Sequence, residues 1–598
     1  MKRQVLGVLY LALYLVQSAP NVFSGPPSMQ NTAPDAVSTK ALDADAAAVI
    51  DTRIYLKRLE KLGFAGVVLV AKGDTPLFAE GFGLADREHK VAWTPGTISD
   101  IGSITKQFTA AAILKMEEGG KLRVSDPIGK YFDGVPADKA AITLHHLLSH
   151  SSGLSDPDID DFDPVPLAEY VKQTFDKPLL FVPGKGYSYS NANFSLLGAI
   201  LEKLAGKSYE NVLRELLFMP LGMYETGYTL PAWGESRFAP GYDAAGGRWG
   251  TFLERPTAAD GPHWALRANG GIHMTVYDML RWARALLEGR VLSPSSMTKL
   301  WTPHVSEGGD TFYGYGWSIM KAPDGTKIVT HNGGNGIYYA DFAIVPDTGH
   351  VVFLMTNVIA ETRVANSLLQ QLGMRFLAGS PYPSIPEVVE LDEAALKAIP
   401  GTYRLPGETG AYVVTLDGTD LFIEAEGHEA FDLLNSVRTA APGRIVNLNK
   451  LAARMIAGNM KGDFSLLHKA YGGEVKIERL KASWTESMKG IEADRGRILR
   501  YEILGTASTQ DRDETVVRFI CEKGPLDMTY VWDIEKEGRL LGRSVRGLNV
   551  RPRLMPSGES DFFTWDGGIR PPKTVRIEPG ADGRSRLALA GSKTPAVR

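Results

Sequence analysis

The sequence predicts an α+β chain in two parts: an antiparallel sheet flanked by helices together with an all-helical subdomain, then a β-barrel-like domain that carries an α+β insert. Three observations predict it. Strand-like runs stand at both ends of the first part, and helical runs fill its middle. A stretch holding Pro381, Pro383 and Pro386 reads as a stiff linker. Beyond it, short alternating strands of one texture lie on either side of a block patterned differently.

The chain opens MKRQVLGVLYLALYLVQSAP, with Lys2 and Arg3, an apolar run from Val5 to Val16, then small and polar residues around Ser18 and Ala19. That is the layout of a secretory signal peptide. The run is shorter than the roughly 20 residues that span a bilayer, so cleavage is expected, with no stable membrane insertion afterwards. Residues 1–24 are read as the signal and the start of a leader, and residues 25–41 as flexible leader rich in Pro, Ser and Thr. A helical stretch then leads into FAGVVLVAKGDTPLFAEGFGLAD, two apolar runs about a Gly-Asp turn, which is a hairpin signal. Helical segments such as SYENVLRELLFMPLGM and TVYDMLRWARALLEG follow. Strands return in YGYGWSIMK, TKIVTHNGG, YYADFAIVPD and HVVFLMTN before a helix around Val364 to Leu377. A first folded domain over residues 42–380 and a linker over 381–390 account for this order.

Past the linker, the run opening at Gly401 with AYVVTL, DLFIEA and AFDLLN gives about four strands, too few for the roughly eight that close a small filled barrel. GLNVRPRLMPS, SDFFTWD, KTVRIEP and SRLALAG at the far end supply a second set. Residues 391–435 and 547–598 are therefore read as one discontinuous β domain. Residues 436–546, with the helical NKLAARMIAGNMKGDFSLLHKAY and longer strands such as ETVVRFICE and MTYVWDIE, are read as an inserted α+β domain.

Composition narrows the function classes. With 44% hydrophobic and 22% charged residues the chain is globular rather than disordered. Its 65 basic and 69 acidic side chains leave a formal net charge of -4. No nucleic-acid partner is expected from that balance. Cys521 is the single cysteine, so no internal disulfide forms, and export without disulfides fits a periplasmic or secreted location.

Three segments carry candidate chemistry. In DIGSITKQFTAAAILKMEEGGKL, Ser103 and Lys106 are spaced i, i+3 and share one face of a helix. Lys106 stands in the first turn, where backbone N–H groups already make the site electropositive and an acidic residue would be the stabilising choice. That environment, with burial, pushes a lysine toward the neutral amine that a serine nucleophile needs as its base. The bland reading has Ser103 capping the helix and Lys106 in solvent. In PGKGYSYSNANFSLLG, Tyr189 and Asn191 project toward one side if the loop is extended. A phenol beside a cationic lysine has its pKa lowered, which suits a general base, whereas an ordinary helix entry would use Asn191 as the cap. In IVTHNGGNGIYYADFAIVPD, a strand reaches His331, Asn332, Gly333 and Gly334. Gly333 and Gly334 would let substrate lie against the strand edge, with a free N–H for an oxyanion hole. The plain alternative is a glycine-rich strand end with His331 at the surface.

The motifs SITK, YSN and HNGG in this order, with ITLHHLLSHSSGL between the first two and ANGGIHMTVYDMLRWARALL and YGYGW between the last two, resemble the serine β-lactamase and penicillin-binding superfamily. The branch with class C β-lactamases, D-Ala-D-Ala carboxypeptidases, D-aminopeptidases and family VIII esterases is the most similar. The resemblance covers roughly Leu42 to Ala378, and SDFFTWD to LALAG looks like the lipocalin-like domain often appended to such hydrolases. It implies Ser103 as the acylated nucleophile, Lys106 as its proton acceptor or shuttle, Tyr189 as general base, and Asn191 as a ligand of substrate and of Lys106. His331 would take the place of the lysine or histidine on the strand lining the site, Gly333 would border the substrate, and the N–H groups of Ser103 and Gly334 would form the oxyanion hole. The Lys-Thr-Gly of β-lactamases is replaced by His331-Asn332-Gly333, which removes a fixed cation and a hydroxyl and weakens the case for β-lactam hydrolysis. The expected protein is an exported serine hydrolase acting on an ester or peptide bond of a small-molecule or peptide substrate, without a cofactor. The competing reading is a non-catalytic binder of cell-wall fragments, and a lesser one a weak β-lactamase. The C-terminal modules would gate or complete the site in a third. His146 and His150, spaced i, i+4, could ligate a metal, but no H-E-x-x-H accompanies them, so no metal site is expected.

Overall fold

The computed structural model describes residues 35–598 apart from 232, 235–236, 244–245, 256, 323, 359–361, 409, 442, 474, 510–511, 545–547, 567–570, 581–582, 591 and 593–594. The expected signal segment and most of the leader lie outside the described residues. The chain forms two compact units that divide between Tyr382 and Pro383.

In the first unit, helix α1 (Asp35–Lys61) precedes strands β1 (Gly66–Lys72) and β2 (Thr75–Phe82). The Gly-Asp turn does join a hairpin: Gly73 sits at φ +61°, a conformation open to glycine at no steric cost. Val67 through Ala71 are wholly buried, as expected for a strand covered on both faces. The remaining strands of this sheet are β3 (Val305–Gly308), β4 (Thr311–Tyr313), β5 (Ser318–Lys321), β6 (Lys327–Gly334), β7 (Tyr339–Val345) and β8 (His350–Thr356). Their order is β2-β1-β8-β7-β6-β5-β4-β3, antiparallel throughout. β1 therefore pairs with the last strand, Val67 opposite Met355, and everything between β2 and β3 is an excursion.

That excursion is mainly helical. Its centre is α2 (Thr105–Glu118), where every residue from Thr105 to Leu114 is buried. A helix apolar or small on all sides is one enclosed by protein. Phe108 packs on Phe218 at 5.3 Å and on Trp282 at 4.6 Å, the latter from α6 (Val276–Leu287). Around it stand α3 (Leu144–Leu148), α4 (Leu167–Asp176) and α5 (Asn191–Ala205). The unit's last helix is α7 (Thr362–Ala378).

The second unit is a closed eight-stranded antiparallel barrel interrupted by a separate sheet. Strands β9 (Gly401–Arg404), β10 (Ala411–Asp417) and β11 (Asp420–Glu426) begin it. AFDLLN, read above as a strand, is instead part of α8 (His428–Asn435). Ala430, Phe431 and Leu434 are buried there at helical spacing, a pattern that a six-residue window does not separate from alternation. The chain then forms α9 (Arg444–Met460), α10 (Ser465–Ala470) and α11 (Ile477–Arg495), and the four-stranded sheet β12 (Ile498–Ser508), β13 (Arg512–Cys521), β14 (Gly524–Asp533) and β15 (Leu540–Ser544). Strands β16 (Arg553–Pro556), β17 (Asp561–Trp565), β18 (Thr574–Pro579), β19 (Ser585–Leu589) and β20 (Ala596–Val597) return to the barrel, and Arg404 pairs with Val597 to close it. Three strands from one end and five from the other thus complete the sheet that neither could close alone. Tyr403, Tyr412, Ile423, Phe562 and Leu587 fill its interior.

Candidate active site

The nucleophile turn is built by Asp100. Its Oδ1 accepts from the Gly102 N–H at 2.6 Å and its Oδ2 from Asn335 Nδ2 at 3.1 Å, which ties the turn to the loop after β6. Gly102 at φ +50° then starts a 3₁₀ turn over Gly102–Ile104 that runs into α2. Ser103 lies on this turn, and Lys106 is the second residue of α2.

Lys106 is fully buried. Its Nζ donates to Ser103 Oγ at 3.0 Å, to Asn191 Oδ1 at 2.9 Å and to the Asn269 carbonyl at 2.7 Å. Burial pushes its pKa down to about 7, with Asp156 and Asp161 acting the other way. The three partners then decide where the lone pair goes. A neutral amine keeps two N–H groups, and the amide oxygen and the main-chain carbonyl can only accept. Both N–H groups stay on Asn191 and Asn269, so the lone pair faces Ser103 Oγ and receives its hydroxyl proton.

Tyr189 stacks under this group, with Lys106 Nζ 4.8 Å from the ring centroid and the Ser103 hydroxyl hydrogen-bonded to its oxygen. The expected lowering of its pKa is not found. Burial holds the phenol well above its ordinary range, opposed by the hydrogen bond to Ser103 and reinforced by Asp156 and Glu307. The neighbouring amine is itself neutral about half the time near pH 7, so it supplies little compensating charge. Asn191 is the first residue of α5 and is not its cap. Asp156 does that work, accepting from Ser190 Oγ at 2.7 Å and from the Ala192 N–H at 2.8 Å.

His150 supports Tyr189. At φ +54° it stacks on the phenol ring at 4.3 Å, and its Nδ1 accepts from the Ser190 N–H at 3.2 Å and from Asn193 Nδ2 at 3.1 Å. His146 has a different task, accepting from the Thr143 N–H at the start of α3. Among the described residues no group of three or more His, Cys, Asp or Glu could hold a metal ion.

His331 lies in the wall, buried rather than at the surface. Its Nδ1 is 2.5 Å from the Asn332 carbonyl, which only accepts, so Nδ1 carries the proton. Nε2 is then the acceptor of the Tyr313 hydroxyl at 2.9 Å. Burial, helped by Lys106, pushes its pKa down to about 3, so the ring is neutral and both nitrogens are engaged within the protein. Gly333 meets the nucleophile turn directly: a Cβ there would stand 1.9 Å from the Ile101 carbonyl oxygen and 2.6 Å from Ser103 N, and one on Gly102 would stand 2.5 Å from Gly334 N. The β5 register ends at Ser318 opposite Thr330, while β7 pairs with β6 as far as Gly334 opposite Tyr339. The Asn335 N–H bonds the Tyr338 carbonyl at 3.4 Å, so alternation along the ladder makes Gly334 a non-bonded pair. Its N–H points away from β7, toward the open edge beside Ser103.

All seven residues singled out from sequence therefore meet in one place. Sequence reasoning missed Asn269, Asp156, Asp161 and Tyr313, and singled out His150 only as a metal ligand that it then set aside. Asn269, Asp156 and Tyr313 lie in or beside the segments SHSSGL, ANGG and YGYGW, whose small and polar residues were the available signal.

The Beta-lactamase family profile matches residues 52–371, more than half of the chain. The D-aminopeptidase of Gluconobacter oxydans is 29% identical over 359 residues, 58% of this chain and 64% of that protein. Esterase EstB of Burkholderia gladioli is 31% identical over 211 residues, 31% of this chain and 52% of that protein. The octameric penicillin-binding protein homologue from Pyrococcus abyssi, 20% identical, aligns over 92% of this chain and 99% of its own with a TM-score of 0.50, which shows a shared fold. The chain belongs to the Beta-lactamase family of serine hydrolases.

Proposed function

We propose that the protein is an exported hydrolase that cleaves an ester or amide bond through an acyl-enzyme on Ser103. One observation carries this reading: Lys106 Nζ lies 3.0 Å from Ser103 Oγ with its other hydrogens fixed on Asn191 and Asn269. Ser103 Oγ attacks the substrate carbonyl carbon as its proton passes to Lys106, and the N–H groups of Ser103 and Gly334 hold the developing oxyanion. Collapse expels the alcohol or amine, which takes a proton from Lys106 through the Tyr189 hydroxyl. Water then attacks the acyl carbon, gives its proton to Lys106, and the proton returns to Ser103 Oγ as the acid leaves. In this scheme Lys106 is the base and Tyr189 a relay, because the phenol holds its proton too tightly to serve as the base at neutral pH. The names of the D-aminopeptidase and esterase relatives support amide and ester substrates. Neutral His331 and Asn332 offer no fixed cation to a β-lactam carboxylate, which makes β-lactams poor substrates. The basic start and apolar run of residues 1–24 support export to the periplasm or medium.

The test is intact-mass analysis of the full chain, expressed with its own N-terminus, against a fluorophosphonate, p-nitrophenyl esters, D-alanyl peptides and β-lactams. The expected adduct maps to Ser103 on a chain recovered outside the cytoplasm and shortened at its N-terminus; labelling of another residue would overturn the assignment. The pH profile separates the two candidate bases. Lys106 must be deprotonated to act, so kcat/KM is expected to rise with pH through a midpoint of about 7 and then level off. A phenolate base would put the rise far into the alkaline range.

A further inference from the structure

His150 holds an uncommon conformation. Its φ of +54° lies in the left-handed region, which is strained for a residue that carries a Cβ. Its side chain is fully buried. The Ser190 N–H is a donor only, so its 3.2 Å contact makes Nδ1 an acceptor and leaves the ring proton on Nε2. That Nε2–H has no hydrogen-bond partner among the described residues, a second cost for a buried group. A side chain placed here for stability alone would satisfy its polar atoms or have none.

What the ring does touch is the proton relay. Tyr189 stacks on it at 4.3 Å with the planes 35° apart, Tyr313 lies at 4.8 Å and Phe194 at 5.2 Å. Tyr187 meets it edge-on at 6.2 Å and is itself tied down, its hydroxyl donating to Glu307 of β3 at 2.8 Å. The imidazole is thus a rigid plate under the phenol, anchored through Nδ1 to the entry of α5, the segment that also carries Tyr189. Burial, then the charges of Lys106 and His331, hold its pKa well below the ordinary range, so the plate is neutral. An imidazolium in its place would draw Tyr189 toward phenolate and strip the relay of its proton.

We propose that His150 is a positioning residue for leaving-group protonation: it holds the Tyr189 phenol where the hydroxyl joins Lys106 to the departing atom, so its contribution grows with the basicity of the leaving group. This rests on the hydrolase reading of Ser103. As the tetrahedral adduct collapses, the C–O or C–N bond breaks and its electron pair goes to the leaving atom, which takes the phenol proton while the Lys106 ammonium replaces it. p-Nitrophenolate is stable as an anion and leaves without that proton. An alkoxide is not, and depends on the relay.

The experiment compares wild type, His150→Asn, Tyr189→Phe and the double variant on the p-nitrophenyl and methyl esters of one acyl group, with kcat/KM reading acylation. Asparagine tolerates left-handed backbone, so the turn is kept while the plate is removed. His150→Asn is expected to raise the ratio of p-nitrophenyl over methyl ester kcat/KM at least tenfold, and Tyr189→Phe to raise it at least as far. In the Tyr189→Phe background His150→Asn should leave the ratio where it is, because it acts through the phenol. An unchanged ratio in His150→Asn, or a further rise in the double variant, would overturn the proposal. Nitrogen-15 NMR of the wild-type histidines is a second measurement that needs no variant. His150 is expected to be neutral with its proton on Nε2 across the neutral range; a proton on Nδ1 or a charged ring would overturn the proposal as well. Equal losses on both esters in an active enzyme fail this proposal alone, whereas no turnover of either ester by wild type fails the hydrolase reading.

Discussion

Ser103→Ala and Lys106→Met are each expected to lower kcat by about 10⁴-fold, and the double variant to lose no more than either alone. The two side chains act as one unit. Without Lys106 the hydroxyl has no proton acceptor, because Tyr189 is held in its neutral form; without Ser103 the amine has nothing to activate. What survives is the oxyanion site and substrate binding, which neither substitution touches. Steady-state kinetics of the three variants on one activated ester checks this, and additive losses would mean that the residues act separately. Keeping Lys106 buried with its pKa drawn down from 10.5 to about 7 costs the fold on the order of 4 kcal/mol near pH 7. Methionine removes that cost and loses the hydrogen bonds to Asn191 and Asn269, about 1 to 3 kcal/mol for each acceptor left bare. Lys106→Met should therefore keep its Tm within a few degrees of wild type while losing activity, as expected where a site is held against stability.

Gly333→Ala is expected to remove activity at least a hundredfold and to lower Tm by several degrees. The added methyl would meet the Ile101 carbonyl oxygen at 1.9 Å and Ser103 N at 2.6 Å, both main-chain atoms with no rotamer to yield. Either β6 or the nucleophile turn must retreat. Overpacking of this kind costs about 1 to 3 kcal/mol, and more where backbone must move. A retreat of even about 1 Å separates the Ser103 and Gly334 N–H groups from a common oxygen, which accounts for the larger kinetic loss. Gly334→Ala is the control. Its Cβ would come no closer than 3.3 Å to the Tyr338 carbonyl oxygen and should be tolerated far better. Equal losses in the two variants would show that the close approach at Gly333 is not what matters.

The site was legible where its geometry is local. Ser103 and Lys106 are three residues apart, so helical spacing alone places them together, and the texture of the short strands told which two segments share a barrel. What depended on distant packing was not legible. Asn269 reaches Lys106 through its main-chain carbonyl, which any residue possesses, and Asp156 works by capping a helix that begins far along the chain. The direction of the Tyr189 shift was misjudged for a related reason. A pairwise view sees a lysine beside a phenol, whereas the folded site buries both and makes the lysine a weak cation. His331 was likewise assigned to substrate by its place on a strand, and only the Tyr313 hydroxyl reveals that its ring nitrogens are already engaged.

The pairing of β1 with β8 has a consequence for how the protein is made. Synthesis proceeds from the N-terminus at roughly 5 to 20 residues per second, and Ser103 emerges early. The sheet cannot close until Met355 is available to Val67, and the catalytic turn cannot be braced until Asn269 and Gly333 have arrived. Contacts so distant in sequence make this sheet slow to form compared with the local helices. A chain released or cleaved before the end of β8 would carry Ser103 and Lys106 without the strand that joins β1 to the rest of the sheet. The site is thus braced late, when the last strand of the first unit reaches the first.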